Sequence, residues 1–228
     1  MIAPRAALAA AVGLLLLAAP AGAVDVTKQT LTFHVMIGPD KDEPCDVVGD
    51  LYTPAGVDAQ HPAPAVMATN GFGGSKDDFD KLGPAYASRG YVFLAYSGLG
   101  FGGSGCKITL DDREHDGAAG SQLLSFLGGS KAAEDGTKIN YVRKDARDHV
   151  GVPHADDPRV GMIGGSYGGQ IQFAVAAVDA RLDTIIPQIT WNDLSYSLSP
   201  NNTDFKTGVT YDTPGVVKID WPVLFTGL

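Results

Sequence analysis

Asp157-Pro158-Arg159-Val160-Gly161-Met162-Ile163-Gly164-Gly165-Ser166-Tyr167-Gly168-Gly169 is the stretch on which the fold turns. A short β-prone run, led in by Asp-Pro, ends in the pattern G-x-S-x-G. Beyond it Ile171, Ala174, Val175 and Val178 fall at the i, i+3, i+4, i+7 spacing of one helical face. Strand, sharp turn and helix in that order make a nucleophile elbow. The serine is held exposed at the turn, and small residues two before and two after it let strand and helix pass closely. With 29 glycines in 228 residues the pattern alone carries little, so the flanking strand and helix give it its weight. Ser166 is the candidate nucleophile.

Outward from the elbow the chain alternates strands with helices. Residues 30–37 and 47–52 read as an opening antiparallel hairpin that turns at Gly38-Pro39-Asp40. Residues 63–69 are apolar almost throughout, as in a strand covered on both faces, and end in Asn70-Gly71-Phe72-Gly73-Gly74-Ser75-Lys76. A helical stretch with Phe79, Leu82 and Tyr86 on one side, broken at Gly83-Pro84, leads to a strand over 91–96. A second glycine loop (97–105), an acidic segment and a helix over 118–127 follow. The connection 131–158 is polar and weakly patterned. Past the elbow helix, 184–189 reads as another buried strand, and 195–214 as loop. The fold class is α/β: a doubly wound, mostly parallel sheet with an amino-terminal antiparallel hairpin, its site at the carboxyl ends of the strands.

Composition narrows the function. Residues 1–23 carry one positive charge at Arg5, an apolar run and Ala21-Gly22-Ala23, the form of an export signal. The expected organisation is a signal peptide over 1–23 and one domain over 24–228, soluble and outside the cytoplasm once the signal is removed, with no membrane span. A net charge of −9, from 17 basic and 26 acidic residues, leaves no basic stripe for nucleic acid. Cys45 and Cys106 would meet an oxidising compartment, but spacing does not say whether they pair, and no Cys or His partner stands at zinc-site spacing. No metal or cofactor is expected, and the oligomeric state is open.

Attack by Ser166 on a carbonyl creates an oxyanion that needs backbone donors. The elbow supplies the N–H of Tyr167, and the loop after the third strand supplies the second, assigned to Phe72 with Gly73 as the alternative. The simpler role for that loop is a helix-entry turn capped by Ser75. Gly98-Leu99-Gly100-Phe101-Gly102-Gly103 matches the dinucleotide pattern G-x-G-x-x-G, but residues 106–112 separate it from any helix, which disfavours nucleotide binding. The serine's base is absent from its usual place. All five histidines (His34, His61, His115, His149, His154) precede Ser166, and none of the 62 residues after it is histidine. His149 and His154 read as surface residues. Asp193 reads either as the orienting acid or as a helix cap.

The runs 157–169, Gly71-Phe72-Gly73-Gly74-Ser75-Lys76 and Gly100-Phe101-Gly102-Gly103-Ser104-Gly105 resemble the exported Xaa-Pro dipeptidyl-peptidase-like acyl hydrolases, relatives of bacterial cocaine esterase. The resemblance runs from about Leu31 to the end. It implies an α/β-hydrolase fold and ester or amide hydrolysis through an acyl-enzyme on Ser166, with the Tyr167 N–H in the oxyanion hole. Where some members carry a tyrosine hydroxyl donor, this chain has Phe72, which offers only its backbone. Members also continue past a point like Trp221 into a helical cap and then return with the acid and the histidine. The expectation is therefore the amino-terminal part of such an enzyme, with the carboxyl-terminal strands and cap missing and little activity of its own. Its substrate would be a small ester or peptide. The competing readings are a non-catalytic secreted binding module of the same fold and, less favoured, a dinucleotide enzyme.

Overall fold

The computed structural model describes residues 25–201 and 215–226; the expected export signal over 1–23 lies outside them. The hairpin forms from β1 (Val26–Ile37) and β2 (Glu43–Pro54), longer than the sequence pattern indicates and turning through Gly38. Alternation fixes its faces. Leu31, Phe33, Val35 and Ile37 point into the core while His34 and Met36 point out. The other strands are β3 (Ala65–Thr69), β4 (Val92–Tyr96), β5 (Val160–Gly165) and β6 (Thr184–Gln188). Their order across the sheet is β1-β2-β4-β3-β5-β6, antiparallel up to β4 and parallel from β4 to β6.

Every residue of β3 and β4 is buried, because helices cover both faces. On one side Met67, Leu94 and Met162 pack with Leu123, Leu124 and Phe126 of α2 (Ala118–Leu127) and with Ile171 and Val175 of α3 (Tyr167–Val178). On the other, Val66, Phe93 and Ile163 pack with Ala87 of α1 (Leu82–Ala87), with Phe79 and Tyr86 alongside. The break expected at Gly83-Pro84 falls just earlier. A 3₁₀ turn, Lys76–Phe79, precedes α1, and Pro84 sits in the first turn of α1, where its missing N–H costs nothing.

Three expectations need correction. β6 is not buried: Ile186 is 51% and Ile189 89% exposed, because no described element pairs with or covers its outer side. Val178, assigned to the buried face of α3, is 44% exposed, since it closes the last turn beyond the sheet. Part of the 195–214 stretch is helical, with α4 at Leu194–Leu198; residues 202–214 lie outside the described set. The last described helix is α5 (Asp220–Thr226). No helix among the described residues is long and apolar enough to cross a membrane.

Two tethers hold the periphery. Cys45 and Cys106 form a disulfide, with Cα atoms 6.0 Å apart, that ties β2 to the end of the second glycine loop. Arg181 is buried behind α3, where its guanidinium donates to Asp179, Asp156 and the Ser125 hydroxyl. It thereby fastens the 131–158 connection to the ends of α2 and α3.

Candidate active site

Parallel pairing of β3, β4, β5 and β6 brings their carboxyl ends, and so the loops that follow them, to one edge of the sheet. At the centre of that edge Ser166 has φ 53° and ψ −119°, a conformation that side-chain-bearing residues rarely adopt. Strain of this kind survives only where neighbours over-determine it. Here the Ser166 N–H donates to Gln188 O at 2.9 Å, and its own carbonyl accepts from Gly169 N at 2.9 Å and Gln170 N at 3.1 Å. The flanking glycines are steric necessities. A Cβ at Gly164 would stand 2.6 Å from Gly168 O and 2.9 Å from Thr69 O, and one at Gly168 would stand 2.2 Å from Thr69 O.

A side chain the sequence did not single out clasps this turn. Gln172 is fully buried; its amide donates to Gly164 O (3.1 Å) and Gly168 O (3.0 Å), while its oxygen accepts from Ile186 N (2.9 Å). Its spacing of four from Gly168 places it on the inward face of α3, a signal that a polar residue on an apolar face could have given.

The loop after β3 lies against the elbow. A Cβ on Gly71 would be 3.6 Å from Gly165 O and 3.8 Å from Ser166 Cβ. Asn70, buried, shapes the loop: its oxygen accepts from Gly98 N at 2.9 Å and its amide donates to Gly71 O at 2.8 Å. Among the described residues, neither the Phe72 N–H nor the Tyr167 N–H donates to a protein acceptor. The loop also holds the cap expected of it. Ser75 Oγ accepts from Asp77 N at 3.1 Å and the Asp78 carboxylate accepts from Ser75 N at 3.2 Å, a reciprocal capping box. Ser75→Ala is expected to cost about 1 kcal/mol in urea denaturation. Lys76 then ties the loop inward, its N–H to Ser97 Oγ and its ammonium to the buried Asp50 at 3.0 Å.

The second glycine loop is not a phosphate cradle. Leu99 and Phe101 turn into the core, Ser104 Oγ donates to Ser97 O, and a helical turn, the π-type Arg113–Gly117, begins only well after the loop. The geometry removes the dinucleotide reading. Among the described residues one acidic group, Asp50, Asp77 and Asp80, is spaced to hold a metal ion. All three carboxylates are already bridged by the ammonium groups of Lys28 and Lys76.

Ser166 opens on a hollow of about 300 Å³ walled by Trp191, Leu194, Leu198, Trp221 and Phe225, with Lys218 at its side. Larger hollows of about 370 and 510 Å³ lie elsewhere and do not reach the serine. No histidine lines the Ser166 hollow. His34 pairs with Asp46, His61 with Asp58, His115 with Asp112 and His154 with Asp148, while His149 is exposed. Asp193 is a helix cap, accepting from Tyr196 N at 2.7 Å and Ser195 Oγ at 2.6 Å at the start of α4.

Behind the elbow lies a polar cluster of which the sequence showed only an acidic segment. Asp116 is 2% exposed; its Oδ2 accepts from Thr109 Oγ1 at 2.5 Å and from the Tyr167 hydroxyl at 3.3 Å, while its Oδ1 has no partner. Burial pushes its pKa up to about 6. Asp111, held in the left-handed region at φ 68°, has neither carboxylate oxygen hydrogen-bonded; burial and then the neighbouring Asp116 charge push its pKa up to about 8.

A family model described as X-Pro dipeptidyl-peptidase (S15 family) matches residues 44–210. A search of curated protein sequences gives no match. Among solved structures, the chain is similar to a hypothetical protein from Pseudomonas aeruginosa, with TM-score 0.54 and 19% identity over 81% of this chain and 48% of that one. It is also similar to an α/β hydrolase from Penicillium sp. (TM-score 0.46, 17% identity, 70% and 44% covered). A third is a ferulic acid esterase from Streptomyces cinnamoneus (TM-score 0.43, 21% identity, 73% and 59% covered). The chain thus spans about half the length of the solved structures it matches.

Proposed function

Because the chain belongs to the X-Pro dipeptidyl-peptidase (S15) family of hydrolases, we propose that Ser166 is the nucleophile of an exported serine hydrolase acting on a small ester or on a peptide bond, including one after proline. The observation that carries this reading is the strained Ser166 backbone at the carboxyl edge of an α/β-hydrolase sheet, flanked by two undirected N–H groups.

In the reaction, Ser166 Oγ bonds to the carbonyl carbon and gives up its proton to a base. The carbonyl π pair moves onto oxygen, where the Tyr167 and Phe72 N–H groups stabilise it. Collapse of the intermediate breaks the bond to the leaving alcohol or amine, which takes the proton, and water then releases the acid from the acyl-serine. The apolar walls of the hollow suit an apolar acyl or side-chain group. Since no histidine lines the hollow, base and orienting acid are in this reading supplied from outside residues 1–228. The disulfide suits the oxidising surroundings of an exported protein.

A fluorophosphonate reagent followed by intact-mass measurement tests the nucleophile. With the base outside this chain labelling should be slow, but one adduct should form on Ser166 and none on Ser166→Ala, and equal labelling of the two would remove the reading. Hydrolysis of an activated ester by this chain should exceed the uncatalysed rate by no more than roughly 10³–10⁴-fold. A full enzymatic rate lost in Ser166→Ala would instead place the base within the chain. The lining of the Ser166 hollow, which has no histidine among the described residues, also favours a second reading, a binding module of the same fold. Ligand binding indifferent to Ser166→Ala, with no labelling of the wild type, would support it.

A further inference from the structure

We propose that Asp116 is a positioning residue for acylation, acting through the side chain of Tyr167; the proposal rests on the reading of Ser166 as nucleophile and the Tyr167 N–H as oxyanion donor. Tyr167 faces two ways. Its N–H lies at the open edge beside Ser166, and its side chain runs inward to complete burial. Its ring meets Phe101 edge-on at 5.3 Å and Phe72 at 5.9 Å, and Phe72 meets Phe101 at 5.3 Å. The two residues that carry the oxyanion donors therefore share one aromatic cluster. Apolar ring contacts are not directional and tolerate sliding. A directional anchor lies at the ring's tip, where the Tyr167 hydroxyl donates to Asp116 Oδ2.

Asp116 is itself held. Thr109 donates to the same oxygen, and the turn Arg113–Gly117 is pressed on α3 so closely that a Cβ on Gly117 would stand 2.6 Å from Ala174 O. The anchor and the helix that begins at Tyr167 thus move as one body. Stability alone gives no reason for this carboxylate. No lysine or arginine among the described residues pairs with it, and burial opposes its charge. A carboxylate kept in so costly a place fits a role in holding the Tyr167 ring, and through it the N–H one residue from the nucleophile. A group displaced by about 1 Å can slow a reaction by about 100-fold.

The test uses the whole chain and a fluorophosphonate, reading the second-order labelling rate, the melting temperature and the ³¹P shift of the phosphonylated serine, whose oxygen occupies the oxyanion position. Tyr167→Phe, which removes a single buried oxygen, and Asp116→Ala should each slow labelling by roughly 10-fold or more and move the ³¹P resonance. Asp116→Asn, which keeps an acceptor oxygen, should recover part of the rate lost in Asp116→Ala. The double variant Tyr167→Phe/Asp116→Ala should be no slower than the slower single variant. Melting temperatures that fall while rate and ³¹P shift stay at wild-type values would show a merely structural role and overturn the proposal. So would multiplicative losses in the double variant. A Ser166→Ala that labels as fast as the wild type removes the nucleophile reading and the proposal with it, a result distinct from Ser166-dependent labelling that the Asp116 and Tyr167 variants leave unchanged.

Discussion

Gly168→Ala is expected to destabilise the protein by about 3 kcal/mol and to slow modification of Ser166 by about 100-fold. The added methyl would stand 2.2 Å from Thr69 O, 2.7 Å from Asn70 O and 2.9 Å from Thr69 C. These are backbone atoms at the end of a strand buried at every residue, so no rotamer change relieves the contact. Either α3 retreats from β3 or the loop carrying Phe72 is pushed outward, and each move separates the two N–H groups proposed to face the oxyanion. At this chain length the loss corresponds to a melting temperature lower by roughly 6–12 °C. Gly165→Ala is the control. Its Cβ would meet nothing nearer than 3.8 Å, and its change should stay within about 1 kcal/mol. Equal losses at the two glycines would mean that the motif reflects flexibility rather than close approach.

Asp111→Asn is expected to stabilise the protein by about 3 kcal/mol at pH 9 and to change it little at pH 4. The folded chain keeps a proton on Asp111 up to about pH 8, against an ordinary 3.8, chiefly because of burial and then because of the Asp116 charge. Between those values the folded state binds more protons than the unfolded one, so stability falls as pH rises through the window and levels off above it. Asparagine keeps the shape and removes the titration, so the gain should appear between pH 4 and pH 8. The full shift would give more than 3 kcal/mol, but the residue is only half-buried and solvent screens part of the cost. Asp116 and Asp157, both raised to about 6 by burial first, and His115, raised by its bond to Asp112, impose slopes of the same sign on both proteins and largely cancel in the difference. Melting curves from pH 4 to 9 decide the matter, and a gain independent of pH would show that relief of the strained φ at position 111, not its charge, is responsible.

The contrast between these two positions shows what a chain reveals before it folds. Gly168 could be singled out because an elbow imposes its demand on residues two apart, and local demands leave local patterns. The hairpin, the buried β3 and the span of α2 were readable for the same reason: the apolar period of each lies within a dozen residues. Asp111, Asp116 and Asn70 were not. The hydroxyl that bonds Asp116 lies 51 residues along the chain, and the amide that bonds Asn70 lies 28 along. A polar residue destined for burial looks like any other until its partner arrives. The half-cystines, 61 residues apart, were undecided on the same ground. β6 shows the reverse failure. Its residues are apolar enough for an interior, but burial depends on what packs outside them, and no strand's own composition reports that.

The Cys45–Cys106 bond also has a topological meaning. The covalent ring it closes contains nearly all of β2, then β3, α1 and β4. Those three strands are neighbours in the sheet, in the order β2-β4-β3, so the ring and the sheet's centre are the same piece of chain. The segment that carries Ser166 lies outside it and is paired to it where β5 runs beside β3 and at the bridge between Ala63 and Val142. The molecule is thus a closed loop bearing Phe72, to which a second segment bearing Ser166 and Tyr167 is hydrogen-bonded, and the proposed oxyanion site lies where ring and segment meet.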